Sequence, residues 1–102
     1  MGKIIEINNS NFDETVSGGT VLVDFYAVWC NPCKMFGKIL EQAAKECADD
    51  VVIAKVDTDQ APDLAVRFGV NTIPHVVVFK DGKIVFERPG LLTKPEVLEL
   101  LK

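Results

Sequence analysis

A chain of 102 residues suffices for one domain with its own apolar core but not for two, so a single domain over residues 1–102 is expected. Apolar residues make up 48% and charged residues 25%, the balance of an ordinary globular protein, and no apolar run approaches the length of a membrane span. The formal net charge is −4 and the lysines are scattered rather than striped, which argues against nucleic acid as a partner.

Residues 3–7 read as a short strand. Asn9 or Ser10 stands where it can cap a helix running to Val16, and Gly18-Gly19 stops it. Residues 21–27 are apolar nearly throughout, as in a strand covered on both faces. After Trp29-Cys30-Asn31-Pro32-Cys33-Lys34, Phe36, Leu40, Ala43 and Cys47 fall on one face of a helix, with Lys34, Lys38, Glu41, Lys45 and Asp49 mostly elsewhere. Residues 51–56 form the next buried strand. Asp59 is placed to cap a helix over residues 61–68, closed by Gly69. Residues 76–79 and 84–87 flank Lys80-Asp81-Gly82-Lys83, and Asp-Gly between two apolar runs predicts a hairpin. Thr93, with Glu96 three residues on, opens a last helix through Leu98 and Leu101. The early crossovers imply parallel pairing and the hairpin adds antiparallel strands. The expected fold is α/β, a mixed five-stranded sheet with helices on both faces.

Cys30 and Cys33 stand where a strand hands over to a helix. Unpaired N–H groups and the helix dipole favour a thiolate there, the form that attacks disulfides. A tetrahedral zinc site needs four ligands, and the chain offers no second C-x-x-C and one histidine. Ligation within one chain is therefore not expected, a site shared between two chains stays open, and an exposed helix start is a poor place for an inert pair, so redox chemistry is the expected use of the two thiols. Cys47, the odd third cysteine, reads as a buried small hydrophobe. Pro32 fits the first helical turn, where its missing N–H costs little and its fixed φ stiffens the loop between the thiols. Asp24 interrupts an apolar strand; desolvation there raises a carboxyl pKa toward the range of a proton acceptor near neutrality. Lys55 interrupts residues 51–56 in the same way, either pairing directly with that acid or sending its head to water. The first six residues carry one positive charge and no apolar core, so no secretory leader is expected and a cytoplasmic location is.

Val23-Asp24-Phe25-Tyr26-Ala27 before Trp29-Cys30-Asn31-Pro32-Cys33-Lys34-Met35, then Lys55-Val56-Asp57, Ile73-Pro74, Phe79-Lys80-Asp81-Gly82 and Pro89-Gly90, resemble the thioredoxin family along the whole chain. The resemblance implies the thioredoxin fold and a monomeric protein-disulfide reductase. It would need no cofactor beyond the Cys30–Cys33 couple and would be recharged by a thioredoxin reductase to act on disulfide-containing proteins. Cys30, first at the helix start, is expected to be the more exposed and more acidic thiol and so the nucleophile, with Cys33 one turn below it as the resolving thiol. Asp24 becomes the buried proton acceptor and Lys55 the lysine near it. Pro32 tunes the redox couple. Pro74 becomes a cis-proline, and Trp29, Ile73, Pro74 and Gly90 a docking surface, with Ile73 offering backbone groups to an extended segment. Trp29 reads equally as a core anchor. Asn31 stands where the family usually has glycine, Lys38 where many members have a helix-kinking proline, and His75 where threonine is common. His75 is expected to be half-exposed rather than coupled to Cys30. Two rival readings stay open: an oxidant or isomerase on the same fold, and a redox-inert module that grips a partner around Trp29 and Pro74.

Overall fold

The computed structural model describes all residues, Met1–Lys102, as five strands and four helices. In chain order they are β1 (Lys3–Glu6), α1 (Phe12–Val16), β2 (Thr20–Tyr26), α2 (Asn31–Ala44), β3 (Val52–Asp57), α3 (Pro62–Arg67), β4 (His75–Lys80), β5 (Lys83–Pro89) and α4 (Lys94–Leu100). The sheet order is β1-β3-β2-β4-β5. β1 and β2 run parallel to β3, whereas β4 pairs antiparallel with both β2 and β5. This is the mixed five-stranded sheet read from the alternation of elements. No helix is long and apolar enough to cross a membrane.

β2 lies at the centre, and its alternation divides the core in two. Val21, Val23 and Phe25 point into one layer with Phe12 and Val16 of α1, Leu64 of α3 and Phe79. Leu22 points into the other with Phe36, Leu40 and Ala43 of α2, Val76, and Val97 of α4. Covering both faces explains why the strand reads as an unbroken apolar run. Each fully buried side chain of this size contributes roughly 1.5–3 kcal/mol. Asp24 falls on the α2 side, between Leu22 and Tyr26.

The helix ends follow the expected chemistry in part. Thr93 and Glu96 form a complete capping box at α4. At the hairpin, Asp81 (φ 52°) and Gly82 (φ 82°) adopt the left-handed pair that a tight two-residue turn requires. α1 differs: its N-cap is Asn11, without a side-chain cap. Asn8 Oδ1 instead accepts from the Ser10 N–H and hydroxyl, and Asn11 Oδ1 from the Asn8 N–H, so these side chains fold the preceding loop. α3 is capped by Ala61 rather than Asp59, with Pro62 in its first turn. Cys47 is half-buried rather than buried: it lies past the end of α2 at Ala44 and packs at the rim of the core layer beneath that helix.

Candidate active site

At the carboxyl end of the central strand β2, Ala27-Val28-Trp29 turn the chain into α2 with Cys30 as N-cap in an extended conformation. The Cys33 N–H donates to Cys30 Sγ at 3.2 Å. Pro32 sits in the first turn, which needs no N–H from it. One helical turn brings Cys33 under Cys30, with Cα atoms 5.2 Å apart and the sulfurs joined as a disulfide. Position at the helix start predicts that Cys30 is the more exposed of the two thiols. In the disulfide form it is 6% exposed and Cys33 3%, both covered by Ala27, Tyr26 and Ile73. Cys30 remains the less covered of the two.

The loop before β4 closes the site from the other side. Ile73-Pro74 is a cis peptide. The Ile73 carbonyl oxygen lies 3.9 Å from Cys30 Sγ, and Gly90 N–H donates to the Pro74 carbonyl at 2.7 Å, tying the end of β5 to the loop. Ile73 is half-buried and Gly90 exposed, whereas Pro74 is buried beneath them. Pro74 therefore underlies the surface that Ile73 and Gly90 present. Trp29 is no core anchor: it is 66% exposed, and its indole N–H donates to Asp59 Oδ2 at 2.8 Å. That bond is what Asp59 does in place of capping α3. Trp29, Thr58, Val70 and Ile73 border a groove of about 440 Å³ beside the disulfide.

On the α2 side of β2, Asp24 is fully buried and neither carboxylate oxygen has a hydrogen-bond partner. Desolvation pushes its pKa from 3.8 up to about 7; Lys55 pulls it down and Glu6 pushes it up. Lys55 is the Cα partner of Asp24 across β2 and β3. Its ammonium forms no ion pair and lies over the Tyr26 ring, 4.4 Å from the centroid. A pocket of about 400 Å³, lined by Tyr26, Cys33, Lys34, Gly37 and Lys55 among others, opens on this side.

The thioredoxin sequence profile matches residues 3–102. Thioredoxin from Staphylococcus haemolyticus is 42% identical over 98 residues, 96% of this chain and 94% of that protein. Thioredoxin from Chlamydia muridarum is 43% identical over 95 residues, 93% and 92% of the two chains. A solved structure, that of a mutant thioredoxin from Halobacterium salinarum, superposes with a TM-score of 0.85 at 34% identity, covering 97% of this chain and 88% of that one. The chain belongs to the thioredoxin family.

It is accordingly a thiol–disulfide oxidoreductase, and Cys30-Cys33 is its C-x-x-C pair. Thioredoxins work through a redox-active disulfide carried by the polypeptide itself. Against that family pattern, His75 corrects the sequence reading. It is buried, not half-exposed. Its Nε2 lies 3.0 Å from Glu87 Oε2 and its ring meets Phe25 edge-on. β4 is flanked by β2 and β5, so a polar side chain there needs a partner, and β5 supplies Glu87 on the same face. Glu6, Tyr26, Asp59 and Glu87 all contact the site's residues, and sequence reasoning misses that role in each. Only Glu87 leaves a trace there: the Asp-Gly hairpin makes β5 the neighbour of His75's strand.

Proposed function

We propose that this chain, one thioredoxin domain over residues 1–102, reduces disulfides in protein substrates, with Cys30 as nucleophile and Cys33 as resolving thiol. The observation that carries this reading is the N-cap placement of Cys30, whose sulfur receives the Cys33 N–H in the first turn of α2. That setting stabilises a thiolate through the helix N-terminus. In the reduced protein, the Cys30 thiolate attacks one sulfur of a target disulfide. The Cys30–target bond forms, the target S–S bond breaks, and the other target sulfur leaves as thiolate. Cys33 then gives its thiol proton to the Asp24 carboxylate through water, and its thiolate attacks Cys30 Sγ. The Cys30–Cys33 disulfide forms and the second target sulfur departs as thiolate. The target has gained two electrons and the pair has lost two; the proton on Asp24 passes to solvent.

Asp24 suits that role because burial holds its pKa at about 7, where it is both partly ionised and basic enough to accept a thiol proton. Lys55 places a positive charge beside it. Pro32 limits the loop between the thiols and so tunes their couple. The loop at Ile73-Pro74 presents Ile73 backbone groups to an extended target segment, and Trp29, Ile73 and Gly90 form the apolar surface on which it docks. No cofactor is required beyond the disulfide. A thioredoxin reductase supplies the two electrons that regenerate the dithiol, and the protein works as a monomer in the cytoplasm.

The test is insulin reduction coupled to NADPH and a thioredoxin reductase, comparing the protein with Cys30→Ser and Cys33→Ser. Cys30→Ser loses turnover, and Cys33→Ser accumulates a covalent complex with the target. Equal turnover in Cys30→Ser overturns the reading in favour of a binding module. A couple poised well above the glutathione potential replaces the reductase with an oxidant.

A further inference from the structure

The register of the parallel strands lines polar side chains across one face of the sheet. Glu6 of β1 is the Cα partner of Lys55 of β3, and Lys55 is the partner of Asp24 of β2. Register partners share a face, so an edge carboxylate, a lysine and the buried acid stand side by side. Tyr26, two residues beyond Asp24, points the same way. A lysine between two carboxylates on adjacent strands pairs most readily with the outer one, because that pair needs less desolvation. Here it does not. Glu6 Oε1 accepts a 2.6 Å hydrogen bond from the Tyr26 hydroxyl, and the Lys55 ammonium rests on the ring of that same tyrosine. A charge-assisted hydrogen bond and a cation–π contact thus meet in one side chain. Burial and the Glu6 carboxylate push the phenol pKa up, so Tyr26 stays a donor throughout the physiological range.

We propose that Tyr26 is a positioning residue for the resolving half of disulfide exchange: its hydroxyl holds the Glu6 carboxylate off Lys55 while its ring seats the ammonium, leaving the lysine's charge available to Asp24. This rests on the reading of Asp24 as proton acceptor. Tyr26 makes and breaks no bond; it decides where a charge sits. The groups facing the acid are Lys55 and, toward Tyr26, Asp57 from β3, Glu6 from β1 and Tyr26 on β2 itself. α2 brings Cys33, Lys34, Lys38 and Glu41 to the adjoining pocket. β4 faces Asp24 with Val76, and α4 contributes Val97 and Leu101 to this layer, all apolar.

The experiment follows the Asp24 carboxyl carbon by NMR through a pH titration of the oxidised protein, in the wild type, Tyr26→Phe, Glu6→Gln and the double variant. Tyr26→Phe keeps the ring and frees Glu6 to pair with Lys55, so the Asp24 midpoint rises, by about half a pH unit or more at the effective dielectric of such sites. Glu6→Gln removes the competitor, and the midpoint falls. The double variant matches Glu6→Gln, because the hydroxyl acts through Glu6 alone. The acidic limb of the insulin-reduction pH profile moves in the same directions. A midpoint unmoved or lowered in Tyr26→Phe overturns the proposal, as does a double variant that differs from Glu6→Gln. Asp24→Asn separates this from the reading beneath it. Wild-type turnover of Asp24→Asn at neutral pH removes Asp24 from the mechanism, while the carboxyl titrations still report whether Tyr26 directs Lys55.

Discussion

Asp24→Asn should change how stability depends on pH, and the size of the effect follows from burial. In the unfolded chain the carboxyl titrates near 3.8; in the folded protein desolvation holds it at about 7. Between those values the folded state binds more protons than the unfolded state, so stability falls as pH rises. The contribution of Asp24 is full below 3.8, declines through the window and is gone above about 7. The window spans a little over three pH units at about 1.36 kcal/mol each, or about 4 kcal/mol in all. Asp24→Asn abolishes that slope. The variant carries its own penalty for an amide without partners, about 1–3 kcal/mol, but that penalty does not vary with pH. The assay is guanidinium unfolding of the oxidised wild type and Asp24→Asn at closely spaced pH values from acid to mildly alkaline. Asp24→Asn should gain on the wild type by about 4 kcal/mol between the two ends, with most of the change complete by neutrality. Parallel curves would refute the reasoning, since the carboxyl would then titrate alike in both states.

Three further outcomes are expected. Gly37→Ala should stabilise the protein by roughly 0.5–1 kcal/mol in the same unfolding assay, because α2 gains helix propensity and the added Cβ meets only the flexible Lys55 Nζ, at 3.6 Å. Thr93→Ala removes the capping box of α4 and should cost about 1 kcal/mol, read as a lowered unfolding midpoint at unchanged slope. Trp29→Ala should leave the unfolding midpoint within about 0.5 kcal/mol of wild type, as expected of a surface position. It should raise KM for insulin while sparing reduction of a small aromatic disulfide, because the indole flanks the groove rather than the core.

What the sequence discloses here is what depends on short-range pattern. The run over residues 21–27 announces a strand covered on both faces, and the structure puts β2 between β3 and β4 with a core layer on each side. The Asp81-Gly82 turn and the Thr93–Glu96 box are local chemistry, and both appear as read. The position of Cys30 at a helix start is legible for the same reason. The failures are residues whose partners lie far along the chain. Asp59 looks like a cap, but the indole of Trp29, thirty residues earlier, takes its carboxylate. His75 looks half-exposed until β5 brings Glu87 against it. The covered state of Cys30 depends on Ile73, forty-three residues away. Glu6 and Tyr26 are unremarkable in sequence and meet only because β1 and β2 both pair with β3.

The length of α2 also protects fidelity. Of its 14 residues, those that follow Cys33 put about 16 Å of rigid helix between the reacting pair and the turn that carries the third sulfur, on Cys47. Bridging requires Cα atoms within about 7 Å. Burial also pushes the Cys47 thiol pKa up, so it spends little time in its reactive form. Internal scrambling to a wrong pairing would demand that α2 unravel, and repeated turnover can proceed without that dead end accumulating.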